Sequence, residues 1–357
     1  MSDTRNDILN RLVANASNSV YDTSKGSWMY DVFKSLSIEL ETAYKKNENE
    51  IKKRHIEDAT GKDLDKLVKQ WANIDRKNMT YASGKVQITN AIPGSIFYKN
   101  NCVSIGEINY SANSDVTADA NGNLEVNVTC TTPGSVGNTA ENTIIYFPKT
   151  LSGFSKSTVT NKDAFTNGYN EETDEELRER YYEKVGNQAN GANSAQYVIW
   201  AKSITGIGDC KPIENWNGAG TLKLVLLDSN REPASTDLQK QVKDYILTVR
   251  PACSGELTVE AASTKAININ ITIVKDAQYS DDIIKSNISN NINKYLKSAI
   301  DFGNDSENYV SYFVLAGIIQ TTTGVKRLTA LTLNDSNTDV LIGSTEIPML
   351  GSVTYEQ

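Results

Sequence analysis

Over residues 1–80, apolar side chains recur at helical spacing. Ile8, Leu9, Leu12 and Val13 fall on one face of a short helix, with Thr4 and Asp7 placed to cap its N-terminus. A longer helix is predicted over 27–53. There Trp28, Val32, Leu36, Leu40 and Tyr44 follow at intervals of four, with Met29 and Phe33 beside them. At ~1.5 Å per residue, this helix is about 40 Å long. Its apolar stripe is narrow, which suits packing against other helices, while its Glu/Lys-rich tail faces water. After Thr60-Gly61, Leu64, Leu67, Val68 and Trp71 predict a third helix. Residues 1–80 therefore read as an N-terminal helical, bundle-forming region.

From residue 81 the period changes to two. Leu124, Val126, Val128 and Cys130 alternate with Glu125, Asn127 and Thr129, the pattern of a half-buried strand. Turn signals at Pro93-Gly94, Asn100-Asn101, Asn121-Gly122-Asn123 and Pro133-Gly134 divide 81–160 into the short strands of a small antiparallel β domain. Residues 161–262 mix helices and strands. Thr173 and Glu176 form a capping box, and Glu171, Glu172, Asp174 and Glu175 suit the positive end of the helix that follows. Its stripe is Leu177, Tyr181 and Val185. Next come a helix with Tyr197, Val198 and Ala201, strands near 208–213 and 222–227, and a helix with Leu238, Val242, Tyr245, Ile246 and Val249, stopped by Pro251.

Residues 263–357 open with the cleanest strand, Ile267, Ile269, Ile271 and Ile273 on one face and Asn268, Asn270 and Thr272 on the other. A helix with Ile284, Ile288, Ile292, Tyr295 and Ala299 follows. Another near 311–320 leads to Gly324-Val325 and a strand bearing Leu331 and Leu333. Ile204-Thr205-Gly206-Ile207 and Thr322-Thr323-Gly324-Val325 echo each other, each following a short helix and opening a strand; a glycine C-cap accounts for both. The fold class is α+β multidomain: a helical region, a small antiparallel β domain and two mixed α/β modules. The modules read as semi-independent and joined by polar linkers.

Charge and composition narrow the function. With 44 acidic against 36 basic side chains the net charge is −8, unsuited to a nucleic-acid grip. No run approaches a membrane span of ~20 apolar residues, and the polar start lacks the apolar core of a signal peptide. Cys102, Cys130, Cys210 and Cys253 are far apart, which favours free thiols over a zinc site or a disulfide framework. His55 is the single histidine and sits on a charged helical surface, so a Ser-His-Asp triad or an H-E-x-x-H metal helix would have to be built on that one solvated residue. Gly61-Lys62 lacks the rest of a phosphate loop, and Gly206-x-Gly208 and Gly218-x-Gly220 lack the third glycine of a dinucleotide site. Neither a metal nor an organic cofactor is expected. The acidic run 171–176 reads as helix N-terminal charge rather than a glycosidase pair. The residues describe a binding or assembly protein, not an enzyme.

Five segments, in order, carry a resemblance. They are Gly26-Ser27-Trp28 before the long helix, Ala59-Thr60-Gly61-Lys62-Asp63-Leu64-Asp65-Lys66-Leu67, Pro133-Gly134-Ser135-Val136-Gly137-Asn138, the run from Asn167-Gly168-Tyr169-Asn170 through Glu171-Glu172-Thr173-Asp174-Glu175-Glu176-Leu177-Arg178-Glu179-Arg180, and Gly343-Ser344-Thr345-Glu346-Ile347-Pro348-Met349-Leu350-Gly351. Together they resemble the Baseplate J-like family of contractile phage tails and tail-like bacteriocins. One departure stands out: Ala72-Asn73-Ile74-Asp75-Arg76 lacks the glycine of the family's Gly-[Ile/Val]-x-Arg run.

The resemblance implies a structural wedge component, located in the tail baseplate and made in the bacterial cytoplasm. Two copies are expected to join one second wedge protein, similar to tail protein I, and to contact hub, spike and sheath-proximal proteins and, indirectly, tail fibres. Nucleic acid and membrane are not expected partners. Trp28, Val32, Phe33, Leu36 and Leu40 are the candidate intermolecular helix-bundle surface, and 263–357 is the candidate self-association module. A carbohydrate-binding adhesin or fibre module is the alternative, which would expose aromatic residues on the β domain.

Overall fold

A computed structural model describes residues 3–16, 22–186, 191, 193–252, 254–302 and 308–356. Cys253 lies outside the described residues; Cys102, Cys130 and Cys210 are free thiols. The chain forms two compact units, Met1–Arg76 with Glu172–Gly186, and Lys77–Glu171 with Asn187–Gln357.

The first unit is helical. In α1 (Arg5–Ala16), the Thr4 N–H donates to Asp7 and the Asp7 N–H donates to the Thr4 hydroxyl, the reciprocal cap expected from those residue types. α2 (Trp28–Lys52) starts at Ser27, whose hydroxyl accepts the Tyr30 N–H. α1 packs along α2, burying Ile8 and Leu9. The one fully buried side chain of α2 is Ser37, flanked by half-buried Phe33 and Leu40. α3 (Gly61–Ala72) ends at Asn73, which adopts the left-handed conformation at φ 51°. Asparagine is the residue that best replaces glycine there, so the missing family glycine leaves the turn intact. α4 (Asp174–Gly186), read from the sequence as part of 161–262, packs on α3 through a core of Ala59, Leu64, Val68, Ile74 and Leu177.

The second unit begins with β1 (Ser83–Thr89), β2 (Ile96–Phe97), β3 (Cys102–Ile105), β4 (Ile108–Ala112), β5 (Val116–Thr117), β6 (Leu124–Cys130) and β7 (Thr158–Thr160). Five of these form an antiparallel barrel-like sheet in the order β3-β4-β6-β1-β7, and β2 pairs with β5. Leu124, Val126, Val128 and Cys130 are all buried, as their alternation requires.

In the central module, α5 (Ser194–Lys202), β8 (Ile207–Glu214), β9 (Thr221–Asp228), α6 (Thr236–Val249) and β10 (Glu256–Ala261) give the sheet β10-β9-β8. The C-terminal module contains β11 (Ser263–Lys275), α7 (Asp281–Ser298), β12 (Asn308–Val310), α8 (Tyr312–Gln320), β13 (Val325–Leu333), β14 (Val340–Ile342) and β15 (Glu346–Glu356), with the sheet β13-β11-β15. The two sheets share an arrangement in permuted chain order. β9 and β11 are the centre strands, β8 and β13 their antiparallel neighbours, and β10 and β15 their parallel ones. α5 lies on β8 as α8 lies on β13, and α6 on β10 as α7 on β15. The echoed segments are the equivalent entries to β8 and β13, with Gly206 and Gly324 at φ 96° and 98°.

No polar linker separates these modules. A single buried residue, Ala262, joins β10 to β11. β9 is buried on both faces: Leu224 and Leu226 pack with Leu238, Val242 and Ile246 of α6, while Val225 and Leu227 join the core of β11 and α7. The expectation of linkers fails here because the alternate apolar residues of β9 need a cover that only the C-terminal module supplies.

Candidate functional site

The signature segments meet in pairs. In the first unit, the Arg76 side chain donates to Asp65 at 2.7 Å, to Asp174 at 2.6 Å and to the Glu172 carbonyl at 2.7 Å. Arg180 grips both Glu172 oxygens at 2.7 Å and donates to the Asp75 carbonyl. Arg178 donates to the carbonyls of Ile56 and Ala59. Such planar, multidentate bonds need arginine rather than lysine. Thus Glu172 and Asp174, read from the sequence only as helix-end charges, are ion-paired parts of a clasp.

The clasp also resolves an electrostatic difficulty. Asp174 in the first turn of α4 accepts the Gly61 N–H in the first turn of α3, and Lys184 in the last turn of α4 donates to the Ala72 carbonyl at the end of α3. The helices therefore run parallel, with like ends together. Each charged side chain complements the end of its neighbour as well as of its own helix. Burial raises the Asp174 carboxyl, but the Gly61 N–H and Arg76 outweigh it and hold the group below its ordinary value. Burial likewise acts to lower Arg76, and Asp65 and Asp174 overcome it to leave the guanidinium raised.

A second clasp forms the neck of the barrel. Asn138 Nδ2 donates to the Gly168 carbonyl at 3.0 Å and the Gly168 N–H returns to Asn138 Oδ1 at 2.9 Å. Asn170 Oδ1 accepts the Ser135 N–H. Thr80 ties the entering strand to the leaving one, its N–H to the Tyr169 carbonyl and its hydroxyl to that of Asn167. A methyl group at Gly168 would stand 2.5 Å from the Gly134 oxygen, so this close approach admits only glycine. The terminal segment becomes β15, parallel to β11, with the Glu346 carboxylate capping the Gly343 N–H.

The candidate bundle residues divide into two groups. Trp28, Val32 and Leu36 are 75%, 39% and 43% exposed, whereas Phe33 and Leu40 are half-buried toward the side of Ser37. The spacing of four concealed this, because such a stripe winds around the helix by about 40° at each step. In the C-terminal sheet the two edges differ. Gln320 bonds the Lys326 carbonyl and the Leu328 N–H, Tyr312 donates to the Leu331 carbonyl, and the Leu333 N–H reaches Ser336, so β13 is sealed by its own chain. Residues 351–356 of β15 are exposed or half-buried and form the other edge.

Among the described residues no group of three or more His, Cys, Asp or Glu could hold a metal ion, and no helix is long and apolar enough to cross a membrane.

Three family models match in succession: the Baseplate J-like protein barrel domain over 85–168, the Baseplate J-like central domain over 189–261 and the Baseplate J-like protein C-terminal domain over 267–356. This chain belongs to the Baseplate J-like family. All three ranges lie in the second unit. The chain is 28% identical to the phage-like element PBSX protein XkdT of Bacillus subtilis (strain 168), over 97% of this chain and 95% of that one. It is 27% identical to baseplate protein gp47 of Escherichia phage Mu, over 59% of this chain and 62% of that one. A chain in the cryo-EM structure of the anti-feeding prophage (AFP) baseplate aligns over 98% of this chain and 90% of its own, at 10% identity and a TM-score of 0.40.

Proposed function

We propose that this chain is a non-enzymatic wedge component of a contractile-tail or tail-like baseplate, linking hub, sheath and fibres and taking part in the rearrangement that triggers contraction. Membership of the Baseplate J-like family supports the baseplate role. The observation that carries the wedge reading is the exposed row Trp28, Val32 and Leu36 on the 25-residue α2, outside the matched domains. An apolar row of this kind needs cover, and another helix supplies it. The partners on this reading are a second copy of the chain and a second wedge protein resembling tail protein I, beside hub, spike and sheath-proximal proteins. Self-association through the C-terminal module uses the β15 edge. Because β13 is sealed, two copies pairing by sheet edges meet β15 to β15 about a two-fold axis.

The test is to purify assembled particles and quantify chains by mass spectrometry. Two copies of this chain per second wedge protein support the reading. Its absence from the baseplate fraction, or unimpaired assembly by Leu36→Asp, overturns it.

A carbohydrate-binding role for the barrel has one observation in its favour: Tyr81, Tyr98 and Tyr146 are exposed there. Binding of host-surface glycan by the full chain, lost in Tyr98→Ala or Tyr146→Ala, would establish that role.

A further inference from the structure

The turn at 228–232, between β9 and α6, makes bonds to every module of the second unit. Asp228 is 2% exposed, and its Oδ1 accepts the N–H groups of Asn230 at 2.9 Å and Glu232 at 2.8 Å. Its own N–H donates to the Glu232 carbonyl at 2.8 Å, closing the turn. From this core, bonds leave in three directions. Asn230 Nδ2 donates to the Gly168 carbonyl in the barrel neck at 3.2 Å. The Ser229 N–H donates to the Gly206 carbonyl, at the entry to β8, at 2.9 Å. Lys297 in the last turn of α7 donates to the Asn230 carbonyl at 2.9 Å and pairs with Glu232 at 2.8 Å.

The neck meets the same place from its other strand. Lys77 donates to the carbonyl of Ile207, the residue opposite Asp228 on β8. The Tyr169 ring lies against Gly206, where an added methyl group would stand 2.6 Å from it. The barrel, the central sheet and α7 are thus tied by side chains and backbone of one five-residue turn. Besides the backbone bonds from the Asp228 N–H to the Glu232 carbonyl and from the Arg231 N–H to the Asp228 carbonyl, the turn is shaped by two bonds to a single carboxylate oxygen.

That carboxylate is in an unfavourable place for a charge. Both bonds come from neutral N–H groups, and the Lys297 ammonium is engaged by Glu232. Burial pushes the Asp228 carboxyl up to about 7; the Glu232 charge adds to this, and the two N–H groups and Lys297 oppose it. The Tyr169 phenol is itself pushed up by burial and by Asp228 and Glu232; Lys77 of the neck bonds the carbonyl of Ile207, opposite Asp228 on β8, and Arg231 lies within the turn.

We propose that the 228–232 turn is a latch holding the barrel neck, the central module and α7 in one register, and that the protonation state of Asp228 sets how tightly it holds. The sign follows from linkage. A carboxyl whose pKa is higher in the closed turn favours that turn fully below its ordinary value near 4, and this preference is lost as pH rises through about 7. The latch is therefore tight in mild acid and loosens in mild alkali.

Hydrogen exchange of the full chain, corrected for the intrinsic pH dependence, tests this. Protection of the neck amides at 77–83 and 166–171 should fall by about tenfold between pH 6 and pH 8, the factor expected when a group of pKa near 7 ionises more readily in the open state. Asp228→Asn keeps the accepting oxygen and removes the charge, so its protection should stay level across the same range. Asn230→Ala should lower neck protection at both pH values while leaving α6 protected. Neck protection in the unaltered chain that does not change with pH, or an equal change in Asp228→Asn, overturns the proposal.

Discussion

Arg76 and Asp174 lie 98 positions apart in the sequence and 2.6 Å apart in space. Asp65 binds the same guanidinium, so removing the guanidinium leaves two carboxylates facing one another and takes one donor from the Glu172 carbonyl. Arg76→Met should lower the stability of the first unit by about 2–4 kcal/mol. Arg76→Lys keeps the charge but not the fork and should recover less than half of the loss. Urea unfolding of the full chain, followed by far-ultraviolet circular dichroism, measures both.

The same carboxylate predicts acid behaviour. Asp174 is held below its ordinary value, so its contribution is present above about pH 4 and is lost as pH falls through the lowered value. The first unit should melt at lower temperature as pH drops below 4. Asp174→Asn should melt lower at neutral pH and show a flatter acid dependence. Equal acid dependence in both proteins would remove Asp174 from the account.

Gly168 and Asn138 act as one pair at the barrel neck. Gly168→Ala forces the Gly134 oxygen and the Asn138 amide apart and should cost about 2–3 kcal/mol. Asn138→Ala removes both reciprocal bonds and should cost about 1–2 kcal/mol. Because the two changes break the same contacts, the double variant should lose little more than Gly168→Ala alone. Additive losses would show that the pair is not coupled.

On α2, neighbouring positions should respond in opposite ways. Trp28→Ala and Leu36→Asp alter exposed side chains and should shift the melting of the isolated chain by less than about 0.5 kcal/mol. Ser37→Leu overfills the side that α1 covers and should cost about 1–3 kcal/mol. Thermal melts of the three variants separate a surface row from a packed one.

The edge of β15 gives a paired test. Successive N–H groups along a strand point to opposite sides, so of Val353→Pro and Thr354→Pro one blocks the outer edge and the other breaks the pairing with β11. One variant should lose self-association with its melting point unchanged, and the other should lose stability. Sedimentation of the full chain at micromolar concentration, alongside thermal melts, distinguishes them.

Much of this fold was legible because its elements have strong periods. The four isoleucines of β11, the alternation of β6 and the capped starts of α1 and α4 all form as their residues predict. What could not be read was partnership. Leu177 marks the buried face of α4, but nothing local in the sequence says that α3 covers it. Glu172 and Asp174 satisfy helix-end rules by themselves, which hid their pairing with arginines. β15 escaped notice because Pro348 and Gly351 interrupt any alternation and a bulge near Ile267 shifts its register. The arginine signal was present, however: Arg76, Arg178 and Arg180 flank motifs that already looked matched in order.

The place where Arg76 holds the Glu172 carbonyl has a consequence for the history of the chain. The polypeptide departs from the first unit after Arg76 and comes back at Glu172, within one hydrogen bond of where it left. An excursion whose ends already touch places no demand on the length or shape of what lies between. The stretch Lys77–Glu171 is therefore a cassette. As far as α3, α4 and their arginines are concerned, a short turn from Arg76 to Glu172 could take its place; its own neck is tied instead to the central module, through Asn230 and the Ile207 carbonyl.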